Sequence, residues 1–249
     1  MNAPARRDPL SRFVDSMPAR YRQQPFDGVA MREHLAIVDR RAGAPAHVEI
    51  WRRTARGGAA VCVVADDRPG LLSFISASLV VHGLDVEGAQ AYTRTETREA
   101  VDFFWLRRHG EVTTPILDAD VHRVAETLRA LVAGTRTLDE VVAGTRPDPR
   151  ADAAFTTSVR FDGTTDAGLT VLTVETTDRP GLLLAITRAL FRARIQVVAS
   201  EASTREGKVL DRFTIVELDG APLRPNRRGL LQVEVLAAID SLRRDGEAR

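Results

Sequence analysis

Asp67-Arg68-Pro69-Gly70-Leu71-Leu72 recurs as Asp178-Arg179-Pro180-Gly181-Leu182-Leu183, a shift of 111 residues from position 67 to position 178. The likeness spreads outward from the hexapeptide at that same shift. Val48 meets Val159, Val63 meets Val174, Ile75 meets Ile186, Leu79 meets Leu190, Val86 meets Val197, and Thr93-Arg94 meets Thr204-Arg205. A fixed period maintained over this length is the mark of a duplicated structural unit.

Each copy reads as the same series of elements. An apolar run (Ala59 to Ala65; Leu169 to Thr176) predicts a strand, and Pro-Gly breaks it. A helical spacing follows, Leu72, Ile75, Leu79 in one copy and Leu183, Ile186, Leu190 in the other. Leu84 to Thr93 and Ile195 to Thr204 alternate and carry β-branched residues, which predicts second strands. Polar turns then lead into third strands at Val101 to Leu106 and Val209 to Val216, paired as hairpins with the second. Amphipathic helices close the units, through Leu117, Val121, Val124, Leu128 and Leu131, and through Leu231, Val235, Ile239 and Leu242.

The order β-α-β-β-α is an α+β, ferredoxin-like unit lacking its last strand. His47 to Arg53 and Thr156 to Asp162 also read as strands, one ahead of each unit. No room for a further strand follows the last helix, so the expectation is exchange: Thr156 to Asp162 completes the first sheet and His47 to Arg53 the second. The domain reading is a partly disordered leader with a linker helix at 1–45, a first module at 46–133, a linker at 134–155 and a second module at 156–244. Within the leader, residues 1–16 read as disordered and Val29 to Val38 as a helix. The linker is rich in Arg, Asp, Pro and Gly.

Composition narrows the function. Of 249 residues, 35 are basic and 34 acidic, a net charge of +1, so no global field points to nucleic acid or to a membrane surface. Lys208 is the only lysine, and an arginine in so arginine-biased a sequence carries little weight singly. The one cysteine, Cys62, lies in an apolar run and reads as a buried structural thiol. The amino terminus has no apolar signal region and no later stretch is long enough to span a bilayer, so a cytoplasmic location is expected.

No catalytic constellation emerges. His34, His47, His82, His109 and His122 fall on different elements without metal-ligand spacing, and packing or solvated roles are expected for them. Asp118 and Asp120 open a helix, where they favour the helix dipole. Gly-x-Ser-x-Gly, Walker and Gly-x-Gly-x-x-Gly motifs are missing. The reading is therefore of no enzyme, no metal and no cofactor. The informative place is the strand-to-helix junction, because Pro-Gly opening a helix leaves backbone N–H groups free to attract an anionic group. Asp as N-cap and Pro near the first turn would also arise for folding reasons alone.

The paired hexapeptide, the strand starts Leu84-Asp85-Val86 and Ile195-Gln196-Val197, and the patterns Val101-Asp102-Phe103-Phe104 and Leu210-Asp211-Arg212-Phe213 resemble the ACT domain, a βαββαβ module that binds amino acids and regulates metabolic enzymes. Over residues 17 to 244 the chain is similar to the tandem ACT region of bifunctional uridylyltransferase/uridylyl-removing enzymes, and it lacks their Gly-Ser and His-Asp catalytic motifs. The resemblance implies a regulatory amino-acid sensor of nitrogen metabolism, with glutamine as candidate effector, a nitrogen-regulatory protein as partner, and a homodimer. The opposing reading is a ligand-free scaffold for dimerisation or partner binding. The resemblance places ligand contacts at Asp67, Arg68, Pro69, Gly70 and Leu71 with Asp85, and at Asp178, Arg179, Pro180, Gly181 and Leu182 with Gln196. Asp85 would repel a carboxylate where Gln196 would accept or donate, so the second copy is expected to bind more tightly. Finally, Val101, Phe103 and Trp105 make the first module's third strand apolar on both faces, which requires a cover, expected from the second module or a second chain.

Overall fold

Two glycines with positive φ set the local geometry of both copies. Gly70 (φ 82°) and Gly181 (φ 74°) adopt the left-handed conformation immediately before a helix, which a side chain would strain. In the computed structural model, which describes residues 8–111, 113–143, 157–164 and 169–247 with side chains through residue 242 apart from that of 164, each glycine ends the turn from a buried strand into a helix lying on the sheet. In the first module β1 (Ala46–Arg53), β2 (Ala59–Asp66), α4 (Leu71–Val80), β3 (Leu84–Thr93), β4 (Glu99–Arg108) and α5 (Asp118–Val132) follow one another. In the second, β5 (Ser158–Thr164), β6 (Thr170–Thr177), α7 (Leu182–Arg192), β7 (Ile195–Arg205), β8 (Lys208–Glu217) and α8 (Arg228–Glu247) repeat the order.

The strands form one eight-stranded antiparallel sheet in the order β1-β2-β4-β3-β7-β8-β6-β5. The two ferredoxin-like modules thus stand side by side, joined where β3 pairs with β7 over Gly88↔Ser203 to Ala91↔Ser200. Helices α4 and α7 pack together on one face of this joint, and α5 and α8 flank them. The principal core lies between helices and sheet, with Val61, Ile75, Phe104 and Leu128 in one half and Leu172, Ile186, Phe213 and Ile239 in the other.

The expected strand exchange does not occur. His47 to Arg53 belongs to β1 and pairs with β2 of its own module (Val48↔Val63), while β5 pairs with β6 (Val159↔Val174). The strand that seemed missing from the end of each unit is supplied from its own front. A short turn makes this the cheaper topology: Thr54 N–H reaches Gly58 O at 2.9 Å, closing a local hairpin, whereas exchange would carry a strand across the whole sheet.

The leader is ordered where disorder was expected. Residues 1–7 lie outside the described residues, but α1 (Pro9–Ser16) forms with Asp8 as its N-cap, the carboxylate accepting from Ser11 N–H at 3.3 Å. It continues through α2 (Ala19–Arg22) to α3 (Gly28–Arg40), which contains the expected Val29 to Val38 helix. Together these helices cover the back face of the first half-sheet. Phe13, Met17, Tyr21 and Ile37 bury against Cys62, Val64, Val101 and Phe103. The cover expected from the second module or a second chain therefore comes from the leader. Cys62 is fully buried there, and burial pushes its thiol well above the ordinary value. The 134–155 linker also carries structure: α6 (Leu138–Val142), closed by a Thr137/Glu140 capping box, while residues 144–156 lie outside the described residues.

The same face of the second half-sheet has diverged to match its surroundings. The register of β2 on β4 and of β6 on β8 equates Phe103 with Arg212, Trp105 with Thr214, and Cys62 with Thr173. Arg212 is exposed. Phe103→Ala is expected to cost about 3–5 kcal/mol in urea unfolding, as a cavity in a closed core does, whereas Arg212→Ala at the equivalent position should stay within about 0.5 kcal/mol. Equal losses at the two positions would contradict the leader's role as cover.

Candidate functional site

Each strand-to-helix turn faces the end of its own second strand and the start of the other module's. Because β3 and β7 run antiparallel at the joint, the Gly181 turn meets Leu84, Asp85, Val86 and Glu87 of the first module, and the Gly70 turn meets Ile195, Val197 and Val198 of the second. This corrects the expected pairing of each turn with its own copy: Asp85 belongs to the Asp178 pocket, and Gln196 does not line the Asp67 pocket. A β-bulge in each strand, between Val86 and Gly88 and between Val197 and Ala199, leaves Glu87 and Val198 outside the ladder, and both line the pockets.

Neither α4 nor α7 has a side chain capping its first turn, and Gly70 and Gly181 themselves are the N-cap residues. The N-cap role expected of Asp67 and Asp178 is therefore not theirs. Asp67 instead accepts from Thr93 Oγ1 at 3.2 Å, and Asp178 accepts from Arg107 Nη2 at 3.0 Å. Burial raises the pKa of both carboxyls, for Asp178 despite the opposing Arg107 charge. Arg68 donates to Val132 O at 2.6 Å and so closes the end of α5, a structural task. Arg179 is buried with Nη2 3.3 Å from Thr176 Oγ1. Leu71 and Leu182 are core residues, and Pro69 and Pro180 hold the turns ahead of the two glycines.

Several residues at these pockets were not among the ligand contacts expected from the sequence. Asp102 and Asp211 occupy the same position in the two third strands and point into the two pockets. Asp102 accepts the Tyr92 N–H at 3.0 Å and Asp211 the Ser203 N–H. Burial pushes each up to about 7, and the nearby Asp67 or Asp178 charge adds to the rise. Arg107, opposite Asp85 in the ladder, bridges the modules: its guanidinium lies 3.0 Å from Asp178, 3.6 Å from Asp85 and 3.4 Å from Glu87. His109 Nδ1 is 3.0 Å from Asp85. These polar groups close around little space, about 30 Å³ in each pocket, which suffices for a water molecule.

The two pockets differ in how closely their glycines are approached. A methyl group placed on Gly181 would meet nothing within 4 Å, whereas one on Gly70 would come within 2.7 Å of the Phe191 ring. Val80 holds the position equivalent to Phe191 beside Gly181. Among the described residues no group of three His, Cys, Asp or Glu is arranged to hold a metal ion, and no helix is long and apolar enough to cross a membrane.

Sequence comparison finds relatives for most of the chain. The bifunctional uridylyltransferase/uridylyl-removing enzyme of Phenylobacterium zucineum is 28% identical over 238 residues, 94% of this chain and 25% of that protein. The chain resembles the tandem ACT region of that enzyme. Its counterpart in Novosphingobium aromaticivorans is 30% identical over 200 residues, covering 79% of this chain and 21% of the relative. In Rhodospirillum rubrum the figures are 27% over 201 residues, 78% and 21%. The chain thus spans between a fifth and a quarter of the length of these curated relatives. No protein-family model matches it. A crystal structure of aspartate kinase from Synechocystis superposes with a TM-score of 0.39 at 16% identity, covering 75% of this chain and 27% of that one, too loose a fit to carry an argument.

The raised carboxyls have a measurable sign. A carboxyl with a folded pKa near 7 and an ordinary unfolded value near 4 keeps its proton in the folded state between those pH values, so stability falls as pH rises through that window. Asp211→Asn and Asp102→Asn should therefore stabilise the protein at pH 8 by about 1–2 kcal/mol, or ~2–4 °C in Tm per kcal/mol, with the gain shrinking toward pH 5. Melting curves at the two pH values check this, and a gain independent of pH would show that the carboxyls are ionised throughout.

Proposed function

We propose that the chain is a non-catalytic regulatory module that senses an α-amino acid at the Gly181 pocket, glutamine first among the candidates, and passes its state to a nitrogen-regulatory protein. The asymmetry of the two glycine turns carries this reading: the approach to Gly181 is open, while Phe191 occupies the approach to Gly70. The charges suit a zwitterion. Uncapped N–H groups at the start of α7 and the Arg107 guanidinium form a cationic side for the carboxylate, and Asp178 and Asp85 form an anionic side for the ammonium.

Arg107 and Asp85 belong to the first module and Asp178 to the second. A ligand that exchanges partners with this ion pair therefore acts directly on the contact between modules, which supplies the differential interaction that a regulatory switch needs. The modules at 46–133 and 156–244 are the units whose relative placement would report binding, and a homodimer belongs to the same proposal. The similarity to regulatory ACT regions supports this role.

One observation favours the second reading, a ligand-free scaffold. The pocket volume of about 30 Å³ and the Arg107–Asp178 pair leave the unliganded site closed and satisfied, so a ligand must open it. Titration calorimetry against the twenty amino acids separates the two. The sensor gives one bound amino acid per chain, weakened about tenfold or more by Asp178→Asn through loss of a charge-assisted contact. Phe191→Val, by opening the Gly70 pocket, should raise the stoichiometry toward two. Heat with none of the twenty, from a folded protein, would leave the scaffold.

A further inference from the structure

Among the described residues the first module carries a short helix that is not matched on the second. After α5 the chain turns back and lays α6 over α4 and the end of α5, where Val141, with Leu138 and Val142, packs against Ala77, Leu131 and Leu184. Moved by the 111-residue repeat, Phe74, Ala77, Val81 and Leu131 become Ala185, Arg188, Arg192 and Leu242. These four line a groove of about 670 Å³ between α7 and α8. The groove is thus the image of the cleft that α6 fills.

Its chemistry differs from that of the first cleft in three respects. Ala185 in place of Phe74 widens it. Arg188 and Arg192 in place of Ala77 and Val81 make its α7 wall cationic, with Glu234 on the facing α8 wall. Arg188 and Arg192 share a single carboxylate across the groove's edge, Asp139 of α6, which accepts from Arg188 and lies 3.6 Å from Arg192. Arg188 Nε is buried without a hydrogen-bond partner among the described residues. Beyond the groove, Leu230 and Val233 on α8 are each 62% exposed. At the equivalent places α5 carries Ala119 and His122.

We infer that the α7/α8 groove is a docking site for an acidic amphipathic helix of a partner protein, seated as α6 is seated in the first module. Two features select a helix over a small molecule. One is the internal template, with apolar anchors at the spacing of Leu138, Val141 and Val142 and a carboxylate beside them. The other is the continuation of apolar surface onto Leu230 and Val233, further than a small ligand reaches. The cationic α7 wall selects an acidic helix over a basic one. This site lies apart from the Asp178 carboxylate and its ion pairs, and the inference does not depend on the sensor reading.

The test uses the full chain and a fluorescent synthetic helix repeating the Leu-Asp-x-Val-Val pattern of α6. Anisotropy should rise to saturation. Arg192→Glu should weaken binding about tenfold, the equivalent of one charge-assisted hydrogen bond. Ala237→Trp, which fills the groove, should abolish binding while the protein melts as the parent does. A helix with Lys in place of Asp should bind far more weakly than the acidic one. The inference is overturned if the acidic helix fails to bind, if Ala237→Trp binds it as the parent does, or if the Lys version binds equally well. It is also overturned if sedimentation shows a dimer that Ala237→Trp dissociates, since the occupant would then be a second copy of the chain.

Discussion

Everything that distinguishes this molecule from two separate modules depends on the four-residue ladder between β3 and β7. The ladder is built from Gly88, Ala89, Gln90 and Ala91 against Ser203, Ala202, Glu201 and Ser200. Small side chains allow the approach: Ala89 is fully buried, and a methyl group on Gly88 would lie 3.3 Å from Ala202 O. With the sheet continuous across the joint, α4 and α7 pack on each other, and each glycine turn faces the other module's strand start. The bulges at Glu87 and Val198 occupy equivalent places in the two strands.

The fold was legible in the sequence to the extent that it is local and repeated. The hexapeptide and its apolar flanks disclosed the strands, the helices on them and the hairpins, because each is set by residue spacing and by a glycine that must adopt positive φ. Pairing partners were not legible in the same way. A front strand such as His47 to Arg53 matches either half-sheet by composition, and only the closure of a short turn decides in favour of its own. The apolar back face of β4 announced a cover without naming it. The leader's Phe13, Met17 and Tyr21 are spaced four residues apart, a signal that polar neighbours and a nearby proline obscured.

At the pockets, the turns were found and their partners were not. Asp85 and Gln196 were correctly placed at strand starts, but which turn each faces is settled by the antiparallel joint, a relation between modules that no single copy contains. Asp102 and Asp211 stood in view as a matched pair within apolar strands, and the demand that a buried carboxyl makes on its surroundings could have singled them out. Arg107 could not have been found this way. In a chain with a single lysine an arginine is the default cation, and this one matters only because it reaches across the joint.

Covalent linkage of the two halves has released them from symmetry. Were the same sheet assembled from two identical chains, any substitution at one glycine turn would appear at the other, and a bulky ring could not close one pocket without closing both. Here Phe191 and Val80 answer the same structural position differently, as do Arg212 and Phe103 on the opposite face. One gene duplication has thus yielded a molecule in which each half can drift toward a separate task while both remain parts of one continuous sheet.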